Sequence, residues 1–170
     1  SPALMTSIYP SKDLQELMIV GNFMEVFLAK EGHSGPIGIN MLEKVQMPHL
    51  PSIYGAMLAG ADYILMGAGI PREIPGVLDR LARNEDVEYR LYVDGATSTD
   101  DYRLKFSPTK IVGDSVPAPK RPKFLPIISS ATLALTLARK ANGKVDGFVI
   151  EAPTAGGHNA PPRGKVTLNA

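Results

Sequence analysis

Short apolar runs recur along this chain, and none of them alternates apolar with polar residues. Asp62-Tyr63-Ile64-Leu65-Met66, Phe124 to Ile128 and Val145 to Ile150 are apolar almost throughout, and Gly35 to Asn40 is similar but ends in a polar residue. A strand with one wet face shows a period of two, whereas a strand in a parallel sheet covered by helices does not. Parallel strands also need a crossover between them, normally a helix. Helix-periodic stretches stand where those crossovers belong. The fold class is therefore α/β, built of parallel β/α units.

The helical segments carry their own start and stop signals. Ser11 or Asp13 caps the first, and Leu14, Leu17, Met18, Phe23, Met24, Val26, Phe27 and Leu28 follow in helical register up to Glu31-Gly32. Ser52 opens a second helix to about Leu58, and Pro71 to Arg83 forms a third with Ile74, Val77, Leu78 and Leu81 on one face. Ser129 or Ser130 caps a helix over 131–140, which Asn142-Gly143 stops. Val87 to Val93 is a further strand. Residues 94–123 are less periodic and form an irregular, proline-rich insertion within a unit spanning 1–170. Pro117-Ala118-Pro119-Lys120-Arg121-Pro122 inside it must be extended and is best taken as a rigid connector. Four strands cannot close a barrel, and an eight-stranded one typically needs about 250 residues. The chain is either a small open α/β domain or roughly half of a barrel.

Composition excludes several classes of function. Eighteen basic residues against seventeen acidic leave a net charge of +1, too small a field to point to nucleic acid or anionic lipid. There is no cysteine, hence no disulfide framework and no thiolate metal site. No apolar run reaches the roughly 18–20 residues of a membrane span, and the expected setting is the cytoplasm. Self-association into a homo-oligomer is compatible with all of this.

Two nucleotide motifs fail on inspection. Gly67-Ala68-Gly69-Ile70-Pro71-Arg72 lies between a strand and a helix, but Arg72 stands where a dinucleotide fingerprint needs its third glycine. Gly157 and Gly164-Lys165 are too far apart for a phosphate loop, and Val166 replaces the magnesium-binding hydroxyl. His33, His49 and His158 have no ligand-like spacing with one another or with an acid, so no metal site is expected. His33, at a helix end, and His49, between prolines, are expected to be structural or solvated.

His158 differs because of its place. It follows Gly156-Gly157 a few residues beyond a buried strand, where α/β folds gather their binding loops. Glycines let backbone amides approach a planar ring or an anion, and Pro153, Pro161 and Pro162 stiffen the flanks. An imidazole with a pKa near 6.5 suits proton abstraction at neutral pH. The alternative is a glycine turn with an exposed histidine.

Ala155-Gly156-Gly157-His158, preceded by a strand ending in Glu151 and followed by Pro162-Arg163-Gly164, resembles the flavin-binding loop of the nitronate monooxygenases, formerly called 2-nitropropane dioxygenases. Gly38-Ile39-Asn40-Met41, Ala61 to Gly67 and Pro126-Ile127-Ile128-Ser129 are similar to strands of that family. The resemblance implies an FMN-containing (β/α)8 TIM barrel, of which this chain is a fragment. It implies a catalytic His158 that helps deprotonate or bind a nitro compound, with Asn40, Ser129, Glu151, Gly156 and Gly157 as cofactor-binding residues. The implied activity is oxidation of nitronates or nitroalkanes with oxygen as acceptor. The related FMN-dependent enoyl-acyl-carrier-protein reductases share the Gly-Gly-His core, and a non-catalytic barrel module is the remaining alternative. Thr154 replaces the family's usual acid before the loop. The family's glycine-rich FMN phosphate loops have no counterpart in these residues.

Overall fold

The structure, a computed structural model, describes residues 7–97, 99–152 and 154–155. Helix α1 (Lys12–Ala29) starts at Ser11, whose hydroxyl accepts from the Leu14 amide at 3.2 Å, so Ser11 rather than Asp13 is the cap. Strand β1 (Gly38–Leu42) leads to α2 (His49–Leu58), then β2 (Tyr63–Gly67) and α3 (Ile74–Leu81). A hairpin of β3 (Val87–Arg90) and β4 (Arg103–Phe106) follows, then the short α4 (Pro108–Val112). The chain continues through β5 (Lys123–Ile128), α5 (Ala131–Lys140) and β6 (Val149–Ile150).

The sheet is parallel, in the order β1-β2-β5-β6, with helices between successive strands. Every crossover steps the same way along the sheet. Right-handed crossovers that all advance in one direction place their helices on one face. Burial agrees. Ile39 and Met41, Ile64 and Met66, and Phe124 turn to that face and pack into the main core with Leu50, Ile53, Tyr54, Ile74 and Leu78. Each such buried side chain contributes roughly 1.5–3 kcal/mol.

Among the described residues nothing of the core lies on the opposite, bare face. Asn40 and Leu42 are exposed, while Leu65, Leu125, Ile127 and Val149 are only half-buried. None of these residues joins the core. Burial on both faces of each run, which the lack of alternation implies, is therefore met on one face only.

Helix α2 sits centrally, and every residue from His49 to Met57 is buried. It is held between the sheet, α1 and the hairpin. Gly55 lets α1 and α2 touch, because a Cβ there would overlap the Ile19 backbone. The helix begins at His49, not Ser52, since Pro51 fits a first helical turn where no amide partner is needed.

Other boundaries also shift. The first strand runs over Gly38–Leu42 rather than 35–40, the third helix is shorter than 71–83, and β3 stops at Arg90. Residues 94–123 hold β4 and α4, which weak periodicity did not mark. Along the hairpin the burial alternates, with Val87, Tyr89, Leu104 and Phe106 inward and Glu88 and Lys105 outward. The Pro117–Pro122 segment is an irregular connector whose Pro119 and Pro122 are buried. Its Arg121 bonds Asp79 and Asp146 and the carbonyls of Pro122 and Lys144. Asp146 in turn accepts from the Phe124 amide at 2.9 Å. These contacts fix residues 144–146 beside β5, and only Val149–Ile150 pairs as strand.

Candidate functional site at the carboxyl ends of the strands

The strand register settles where the expected site residues stand. Ile128 pairs with Ile150, so Ser129 and Glu151 are the next residues on neighbouring strand ends. The Glu151 amide continues the ladder by donating to Ile128 at 2.8 Å. Both side chains are half-buried. Beyond them a turn closes with the Ala155 amide on the Ala152 carbonyl at 2.9 Å. Gly156, Gly157 and His158 lie outside the described residues.

Asn40 is exposed on the bare face, but in mid-strand. It pairs with Leu65, and Leu65 with Leu125. Ser129 is four residues beyond Leu125, about 13 Å along a strand at roughly 3.3 Å per residue. Ser129 and Glu151 thus come together, and Asn40 does not join them at the same level.

Between these points the bare face is apolar: Leu42, Ile127 and Val149 surround Gly67 in one register row. After Gly67 the chain turns through Ala68, whose φ of 58° is left-handed. A Cβ on Gly69 would overlap the Glu43 side chain, so only glycine fits beside it. That is why the Gly67-Ala68-Gly69 turn lies so close to the end of β1.

Sequence reasoning missed Glu43. It directly follows β1 and is 4 % exposed. Its Oε1 accepts a hydrogen bond from the Tyr89 hydroxyl at 3.1 Å. Burial raises the Glu43 pKa above its ordinary value, with Tyr89 and Lys44 pulling the other way. Burial, and then the Glu43 carboxyl, raise the Tyr89 pKa. The ring of His49 lies edge-on to Tyr89, with centroids 5.7 Å apart. His49 Nε2 stands 2.9 Å from the Leu42 carbonyl, which can only accept, so Nε2 carries the proton. Its Nδ1 is buried without a partner, and burial lowers the pKa. His49 is buried, not solvated. Gln46 completes the group by donating to the Arg90 carbonyl and accepting from the Tyr92 amide, which extends the hairpin beyond β3. The available signal was positional: an acid at the carboxyl end of an apolar strand.

His33 is exposed at the end of α1, with Nε2 2.7 Å from the Ala29 carbonyl. Among the described residues no three His, Asp or Glu side chains converge as metal ligands. Nor is any described helix long and apolar enough to cross a membrane. Comparisons with protein-family models, with curated proteins and with solved structures return no match.

Chemically, the strand ends offer an apolar floor, a hydroxyl and a carboxyl side by side, and a tight glycine turn.

Proposed function

We propose that this chain is part of a (β/α)8 barrel that holds FMN at its strand ends and oxidises nitronates or nitroalkanes with oxygen as acceptor. One observation carries the reading. A parallel sheet in consecutive order, helix-covered on one face and, among the described residues, bare on the other, is followed in sequence after β6 by Gly156-Gly157-His158. Helices on one side only are what a barrel wall has, and ligands of such barrels bind at the carboxyl ends of the strands.

The described residues fit the flavin ring. Leu42, Ile127 and Val149 provide the apolar floor, while Ser129 and Glu151 provide polar partners at its rim. Asn40, lower on the same face, would meet a polar edge only if the ring reached down the sheet. When bound, FMN supplies the redox chemistry. The chain's own part is to place the nitro compound against the ring and take up a proton. His158 is the base: its imidazole removes the proton from the carbon bearing the nitro group, which that group makes acidic. Thr154, an exposed hydroxyl on the turn before the loop, cannot repel an anionic nitronate as a carboxylate would.

The test is the purified protein and its His158→Ala variant, with FMN uptake and nitroalkane oxidation measured on both. The expected result is flavin binding in both and a fall in turnover of about 100-fold or more, the usual contribution of a positioned base. Oxidation at the parental rate removes His158 from the chemistry. Failure of the parent protein to take up FMN overturns the cofactor assignment.

A further inference from the structure

We propose that a cavity between the loop after β2, the hairpin and the end of α5 binds a small phosphate monoester. The cavity measures about 250 Å³, and none of its lining residues is among those assigned to the flavin. Cationic residues from three elements border it: Arg72 just before α3, Arg90 in β3 and Lys140 in α5.

Their charge is not answered within the protein. Among the described residues neither Arg72 nor Lys140 makes an ion pair. Arg90 reaches Asp101 only at 3.9 Å. The acid that borders the cavity is Glu73, and it is already engaged. Its Oε2 accepts from the Arg90 amide at 3.2 Å and lies 3.7 Å from Arg103. The residues outside the described set contain no aspartate or glutamate, so their side chains supply no counter-charge either.

The neutral polar groups on the rim are donors as well. Asn142 accepts from the Gly76 amide through Oδ1 at 2.9 Å, which leaves the two Nδ2 hydrogens for a ligand. Tyr92 is exposed and adds a hydroxyl, whereas the Tyr89 hydroxyl is spent on Glu43. The two sides of the cavity are fixed to each other, because the Asn142 amide donates to the Arg72 carbonyl at 3.0 Å.

Positive charge and donor hydrogens call for an anion that presents only acceptors. A phosphate monoester has three free oxygens, enough to meet Arg72, Lys140 and the Asn142 amide together. The guanidinium fork matches two phosphate oxygens, and the lysine adds a point charge. Size limits the rest of the ligand, since drug-sized molecules occupy pockets of roughly 300–1,000 Å³. Ile70, 46 % exposed, and the Tyr92 ring offer apolar surface to a short carbon stem.

An NMR titration of the purified protein with phenyl phosphate tests the site, with benzoate as the carboxylate counterpart and chloride at matched ionic strength. Saturable shifts at Arg72, Tyr92 and the Asn142 side-chain amide are expected with phenyl phosphate alone. Arg72→Gln and Lys140→Gln, both at exposed positions, should each weaken binding about tenfold or more, the scale of one charge-assisted hydrogen bond. Arg139→Gln removes the same charge next to Lys140 but outside the cavity, and should leave binding unchanged. The proposal is overturned by absent saturation, by equal binding of benzoate, by binding that survives both cavity substitutions, or by an equal loss in Arg139→Gln. FMN uptake by the same variants keeps the two sites apart. Uptake equal to the parent's is expected; its loss in Arg72→Gln and Lys140→Gln would make this the flavin's own phosphate site and end the claim of a separate one.

Discussion

The Tyr89 hydroxyl donates to Glu43 across 46 positions of sequence, a buried 3.1 Å bond that ties the hairpin to the end of β1. The bond needs an acceptor and tolerates a neutral acid. Burial favours that neutral form, and so the pair couples folding to pH.

The sign follows from linkage. Glu43 has its folded pKa raised above the ordinary 4.5, so the folded state binds the proton more tightly. The stabilisation is complete below 4.5 and is lost as pH rises through the raised value. Glu43→Gln keeps the shape and removes the titration. Urea unfolding between pH 4 and 8 should show the variant matching the parent at the acid end and exceeding it above. Parallel curves for the two proteins refute the assignment.

His49 acts in the opposite direction. Its folded pKa lies below the ordinary 6.5, so stability is lost as pH falls from 6.5 through that lowered value. His49→Phe should remove this acid loss. It should also cost about 1–3 kcal/mol at neutral pH, because the Leu42 carbonyl loses its donor. Denaturant midpoints at pH 5 and pH 7.5 measure both effects.

Arg121 holds Asp146, with Nη1 to Oδ2 at 2.8 Å, while the Asp146 side chain is 7 % exposed. Removing one partner of such a pair leaves a buried charge short of its counter-ion. Arg121→Met should destabilise by about 2–3 kcal/mol, less than a fully buried pair, since Lys144 and the Phe124 amide still bind Asp146. Faster amide exchange at Val149 and Ile150 should accompany it. Exchange there equal to the parent's would show that the clamp does not hold β6.

Gly55 marks where α1 crosses α2. Gly55→Ala places a methyl group into the Ile19 backbone, which cannot yield as a side chain would. The expected loss is about 2–4 kcal/mol, at or above the upper range for overpacking. Limited proteolysis should cut α1 first. Gly21→Ala on the same helix meets open space and should stabilise slightly.

The sequence by itself determined the order of the four sheet strands and the main helices, though not β4 or α4. Apolar runs without alternation meant parallel strands, and Ser11, Ser130 and the glycine stops marked helix ends through local hydrogen bonding that needs no distant partner. It also singled out the last loop by position, although Gly156 to His158 lie outside the described residues. Tertiary structure alone decided which face of each run is covered, because a continuous apolar run says nothing of sidedness. It alone decided that Ser129 and Glu151 are neighbours and Asn40 is not, since register depends on pairing between strands far apart in sequence. Glu43, Tyr89 and His49 were invisible as a group for the same reason. Three residues from different elements become one buried cluster only when the hairpin folds back across the end of β1.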